Sequence, residues 1–171
     1  MNMHSRAGHR AVQHERPRHR ADPAAGVMAG ALAAAAYLAA QLSFSVLFGG
    51  GSGPEPLQRI AAILLGPDAA PPPAELSPTI VGIGLLIHFL LGMLYGQWIE
   101  WLTRGSWGVG AALRGAAAGA AVFVVNFWLI APSSFPWFGD SPAAVTFLDH
   151  LLFGAVAGYA CDLLRRRRAR D

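Results

Sequence analysis

The sequence predicts an all-α integral membrane four-helix bundle, built as two tandem helical hairpins related by a pseudo-two-fold axis along the membrane normal. Three observations carry that prediction. The chain is 54% hydrophobic and only 13% charged, whereas soluble domains carry about a quarter charged residues. Four apolar segments, 24–48, 79–102, 107–131 and 143–164, each reach the roughly 20 residues that cross a hydrocarbon core. Finally, one register of chemistry-bearing residues occurs twice, in the second and fourth segments.

The first 23 residues are polar, with five arginines and almost no large apolar side chain. Such a composition cannot bury enough surface to fold alone and predicts a disordered basic cytoplasmic tail. His4, His9, His14 and His19 recur every five residues. Five is not a helical neighbour spacing, and no cysteine or paired carboxylate accompanies them, so they read as solvated tail rather than metal capture. The leading polar region is too long for a signal peptide, and the apolar run that follows spans a full bilayer.

The external loop 49–78 is expected to open on a flexible GGGSG and to carry a short interfacial helix in PLQRIAAILLG. Pro71, Pro72 and Pro73 then impose an extended return. In the second external loop, Phe135, Trp137 and Phe138 suit an aromatic belt at headgroup level. The segment 165–171 reads as an Arg-rich cytoplasmic tail.

All 13 basic residues are arginines, and 12 of them flank the four segments on one side. The positive-inside rule makes that side cytoplasmic, with both termini inside an inner membrane. Arg59 is the exception, placed outside with Glu55, Asp68 and Glu75.

The repeated register runs His88, Gly92, Gly96, Glu100, Arg104 in the second helix and His150, Gly154, Gly158, Asp162, Arg166 in the fourth. Residues four apart share a helix face. Glycines at that spacing allow close backbone approach between membrane helices. Each acid–arginine pair reads as a cytoplasmic anchor, an i, i+4 ion pair at the membrane surface contributing about 0.3–0.5 kcal/mol. The first and third helices align more loosely, Gly26 and Gly30 against Gly115 and Gly119, with Tyr37 against Asn126.

Each histidine lies sixteen residues from its arginine, about 24 Å along a helix, which sets both at one depth in the outer half of the bilayer. Asp149 adjoins His150, and Tyr37 and Asn126 reach a similar level. Ionisable groups at such depth face a bundle interior or a polar cavity. Three readings of this cluster stand side by side. The first is a structural one, in a non-catalytic packing or partner-assembly protein. The second is small-solute or proton transport by an oligomer, and the third is bis-histidine ligation of haem b.

No nucleophile–base pair, zinc spacing or phosphate loop is present, so neither an enzyme nor a resident metal or cofactor is expected. GGGSG lacks the strand and the lysine that a nucleotide loop requires. The basic ends meet anionic lipid rather than nucleic acid. The expected partners are the bilayer and further copies or a larger membrane complex. The lone Cys161 excludes an internal disulfide.

The pieces RIAAILLG (59–66), PPP (71–73), IHFLLGMLYG (87–96), NF (126–127), FPWF (135–138) and HLLFG (150–154) resemble a family of small bacterial four-helix membrane proteins of unknown function. Some members carry the label sodium:proline symporter. The resemblance implies that His88, Tyr95, Gly96, Asn126, Trp137, His150 and Gly154 belong to the family pattern. It implies no reaction, since symporters of that type have many more helices and a sodium site on broken helices.

Overall fold

The computed structural model describes residues 22–48, 54–71 and 77–170. Those residues form helices and turns, with no strand among them. Four helices are long and apolar enough to cross a membrane: α1 (Pro23–Phe48), α3 (Pro78–Leu102), α4 (Val109–Ser134) and α5 (Ala143–Arg168). A shorter helix, α2 (Glu55–Leu65), lies between the first two. The expected tail disorder, the histidine series, the GGGSG run and most of the proline run lie outside the described residues.

The helix starts follow local chemistry. Asp22 accepts a hydrogen bond from the Ala25 backbone N–H at 3.0 Å, ahead of Pro23. Ser77 does the same for Ile80 at 3.1 Å, ahead of Pro78. A short side chain at the cap followed by proline at the first helical position satisfies or removes the orphan donors there. Gly66, at φ 93°, ends α2 in a conformation that a side chain would strain. At the far end of the chain, α5 runs through the arginine cluster to Arg168 instead of ending at 164. Cationic side chains in a last helical turn favour its negative dipole end.

The glycines set the packing. A Cβ built on Gly30 would stand 2.3 Å from the Gly92 carbonyl oxygen, and one on Gly96 would stand 2.4 Å from that of Gly26. The α4–α5 pair repeats this geometry: a Cβ on Gly115 would meet Gly154 O at 2.0 Å, and one on Gly158 would meet Ala111 O at 2.3 Å. Backbones this close exclude any side chain. Gly30 therefore does in α1 what Gly115 does in α4, one turn away from the alignment of Gly26 with Gly115 expected from sequence. Gly119 then matches Ala34, and Tyr37 matches Val122 rather than Asn126. Gly84 opens a third close approach, where α2 crosses α3 with Leu57 O 2.2 Å from a built Cβ.

α1 packs closely on both α3 and α5, and α4 packs on α5, whereas α3 and α4 barely touch. The bundle is consequently open on one side. Its outer faces carry exposed Leu86, Leu90 and Leu94 on α3 and Val109 and Leu113 on α4.

The acid–arginine pairs are more than surface anchors. Glu100 is 2% exposed and Asp162 is 1% exposed. Asp162 receives the Gly108 backbone N–H at 2.7 Å and the Arg166 guanidinium on both oxygens at 2.8 and 2.7 Å. Glu100 receives the Asp22 backbone N–H at 3.3 Å, Arg104 at 3.2 Å, and Arg165 at 3.7 Å. Each carboxylate thus sits at the start of the neighbouring helix, where backbone donors and the helix dipole favour negative charge. The surface value of a few tenths of a kcal/mol does not apply to groups so enclosed. Asp22 also pairs with Arg168, which closes α1 against the end of α5.

Candidate functional site

At the end of the bundle remote from these arginines, the gap between α3 and α4 widens into a cavity of about 530 Å³. α2 and the segment Phe135–Pro142 form its outer wall. Arg59 of α2 donates to the Trp137 carbonyl, and the Trp137 indole donates back to Arg59 O at 3.0 Å. This reciprocal clip joins the two connections at that end. The volume falls in the range of small-molecule sites, and the lining is mainly apolar and aromatic with a few polar groups, the usual make-up of such a site.

All five residues of the polar cluster expected from sequence line this cavity: Tyr37, His88, Asn126, Asp149 and His150. The two histidines are buried but differ in their partners. His88 donates through Nε2 to Ala34 O at 2.8 Å, across to α1. His150 donates through Nδ1 to Thr146 O at 2.7 Å, within its own helix. The acceptors are carbonyls, so the facing nitrogen must carry the proton. The difference follows the packing. Ala34 holds α1 off α3 by one methyl group beside Gly92, whereas Gly119 brings α4 directly onto His150 O.

Tyr37 lies against both imidazoles, with ring centroids 5.5 Å from His88 and 5.2 Å from His150. Phe123 and Phe127 enclose His150 from the other side, each at 5.6 Å. A bis-histidine haem needs both imidazoles to present a free nitrogen to a common plane. Here Tyr37 contacts both rings, His88 Nε2 faces Ala34 O and His150 Nδ1 faces Thr146 O. Among the described residues, no three His, Cys, Asp or Glu side chains converge as a metal set.

Asn126 lies in a stretch where α4 widens to π-helical geometry, Val124–Ile130. Such stretches are rare and recur at functional sites. The Tyr95 hydroxyl donates to Asn126 Oδ1 at 3.0 Å. This bond ties α3 to α4 across the gap that their backbones leave open. Tyr95→Phe should cost about 1 kcal/mol by leaving Asn126 Oδ1 without this donor, read as a melting midpoint lowered by a few degrees.

Two acceptors of the cavity lining have no partner among the described residues. Asp149 is 6% exposed, and its Oδ2 is buried without a hydrogen bond. Gln41 Oε1 is buried and equally unpartnered. Native structures pair most buried polar atoms, so two orphans on one cavity wall call for an explanation.

Sequence reading found Asp149 and missed Gln41, which lies one turn beyond Tyr37 on the same face of α1. That spacing was a visible signal. Thr146 and the π-helical stretch were also missed. Thr146 could have been sought four residues before His150, but an i−4 carbonyl contact leaves no mark in composition. Gly92 lines the cavity at the α1–α3 contact, the glycines Gly96, Gly115, Gly119, Gly154 and Gly158 lie at the helix contacts, and Glu100, Arg104, Asp162 and Arg166 lie at the opposite end of the bundle.

No family model, no curated protein and no solved structure matches this chain. The family resemblance therefore stands on the quoted segments alone.

Proposed function

We propose that this chain is a non-catalytic protein of the bacterial cytoplasmic membrane that receives a small amphiphile bearing an ammonium group, in the outer half of the bilayer. The observation that carries this reading is Asp149 Oδ2, buried and unpartnered on the wall of an aromatic-lined cavity. An ammonium N–H supplies the donor that this oxygen lacks, and Gln41 Oε1 can take a second. A carboxylate buried alone is expensive, and a bound cation relieves that cost. Tyr37, Phe127, Phe138 and Phe153 offer ring faces, which attract cations in desolvated sites.

Arginine placement supports the orientation. Arg104, Arg165 to Arg168 and the start of α1 share one end, and Arg59 lies at the other. We read the first end as cytoplasmic. The recurring contacts support a duplicated hairpin in which Gly30, Gly92, Gly96 and Glu100 correspond to Gly115, Gly154, Gly158 and Asp162. Its axis would run along the membrane normal. Transport, as distinct from binding, calls for an oligomer, because the arginine end is closed by the Glu100 and Asp162 contacts. Partner assembly is the second reading, and the exposed leucines of α3 suit a neighbouring protein as well as acyl chains.

The test is calorimetric titration of the purified protein with a phenylalkylammonium series. Wild-type protein should bind, and Asp149→Asn should weaken binding at least tenfold, the scale of one charge-assisted hydrogen bond. The matched neutral alcohols should bind no better to wild type than to the variant. Equal affinity of both proteins for the amines would leave partner assembly as the better account.

A further inference from the structure

A second cavity, of about 250 Å³, lies at the arginine end, between the turn joining α3 to α4 and the last turn of α5. Gly105, Ser106 and Trp107 form one wall, and Arg165, Arg166 and Arg170 form the other. Neither the ammonium reading nor the packing of the bundle accounts for it. One donor there is unsatisfied. Ser106 is 7% exposed, yet its Oγ has no hydrogen-bond partner among the described residues. Arg165 is already held, Nη1 by the Glu100 carboxylate at 3.7 Å and Nη2 by Thr103 O at 3.3 Å, so that its charge is fixed at the cavity edge.

The charge balance favours an anion. Among the described residues, the acids at this end are Asp22, Glu100 and Asp162, and all are engaged, by Arg168, by Arg104 with Arg165, and by Arg166 with Gly108 respectively. Among the described residues, no carboxylate lines the cavity beside Arg170. The Arg166 guanidinium lies over the Trp107 ring, 5.3 Å from its centroid. Directly beyond Trp107, Val109 and Leu113 continue on α4 as exposed apolar side chains one turn apart. A pocket of arginine and hydroxyl donors at the start of a helix that carries exposed apolar side chains has the two-part chemistry of a phospholipid.

We propose that this cavity seats the phosphate of an anionic phospholipid, with Ser106 Oγ, Arg165 and Arg170 as donors and acyl chains over Val109 and Leu113. Basic pockets at helix ends bind such headgroups through charge-assisted hydrogen bonds. The continuous apolar face is what favours a lipid over free phosphate.

Native mass spectrometry of the detergent-purified full chain, with added phosphatidylglycerol or phosphatidylcholine, tests this. Phosphatidylglycerol should be retained about tenfold better than phosphatidylcholine. Arg170→Gln should lower that retention about tenfold and Ser106→Ala about threefold, in line with charged and neutral hydrogen bonds. Arg167→Gln, an exposed neighbour outside the cavity, should leave it unchanged. Equal retention of the two lipids overturns the proposal. So does a loss on Arg167→Gln as large as that on Arg170→Gln with Ser106→Ala silent, which would mean diffuse surface charge. Titration with inorganic phosphate is the last arm: binding that follows the same variants, with no phosphatidylglycerol preference, overturns the lipid in favour of a free anion. Arg170 is exposed at the end of α5, so its variant decides the matter should Ser106→Ala fail to fold.

Discussion

Gly154→Val is expected to abolish assembly of the α4–α5 pair and to leave little folded protein. A Cβ on Gly154 would lie 2.0 Å from Gly115 O and 2.9 Å from Gly119 N. Both are backbone atoms, which cannot turn aside as a flexible side chain can. Relief requires the helices to separate along their contact, with loss of the close van der Waals packing that holds membrane helices together. Ordinary overpacking costs about 1–3 kcal/mol, and this clash meets rigid α4 backbone at two points, so roughly 3 kcal/mol is expected. That corresponds to a melting midpoint about 10 °C lower for a chain of this size. Gly82→Ala and Gly110→Ala are the matched controls, since nothing lies within 4 Å of either built Cβ. Both should hold or slightly raise stability, because alanine is the better helix former by about 1 kcal/mol. Thermal melts of the three variants in one detergent check the contrast.

Glu100→Ala carries the second large effect. Removing this carboxylate strips the Asp22 backbone N–H of its acceptor and leaves Arg165 opposite an empty site. Taking one partner from a buried ion pair costs about 3–5 kcal/mol, because the other charge stays enclosed. The looser 3.2–3.7 Å geometry here argues for the lower figure. Glu100→Gln should retain part of the stability, since an amide oxygen still accepts from Asp22. Hydrogen exchange adds a local readout: the first turns of α1 should exchange faster in Glu100→Ala while the α4–α5 contact stays protected. An unchanged melt would mean that Glu100 is only a surface anchor after all.

These two predictions separate what the sequence displays from what it hides. The four spans are legible because hydrophobic length is a one-dimensional property. The His–Gly–Gly–acid–Arg register is legible because four-residue spacing survives as spacing. The burial of Glu100 and Asp162 is not, because their extra partners are backbone N–H groups of Asp22 and Gly108, which every sequence possesses. The one-turn shift between α1 and α4 was hidden for a related reason, since Ala34 and Ala111 occupy positions where their helix pair still tolerates a methyl group.

The polar cluster was readable as a set of residues and unreadable as a space. Tyr37, His88, Asn126, Asp149 and His150 all reach one cavity, yet nothing in their spacing tells that α3 and α4 stand apart while α1 and α5 close up. The cavity exists because of that unequal packing, and the Tyr95–Asn126 bond is what spans it. Two consequences follow from the space rather than from the residues. Tyr37 contacts both histidines, and Asp149 lines the cavity with one buried oxygen unpartnered among the described residues.

The ammonium reading turns on one contact and can be measured there. Solid-state NMR on protein with ¹³C-labelled aspartate, bound to a ¹⁵N-labelled phenylalkylammonium, reports the distance from the ligand nitrogen to carboxylate carbons. The account predicts dephasing of one aspartate signal at about 4 Å, the reach of an ion pair, and its disappearance in Asp149→Asn. A bound ligand that dephases no aspartate, or that dephases the same signal in the variant, would contradict it.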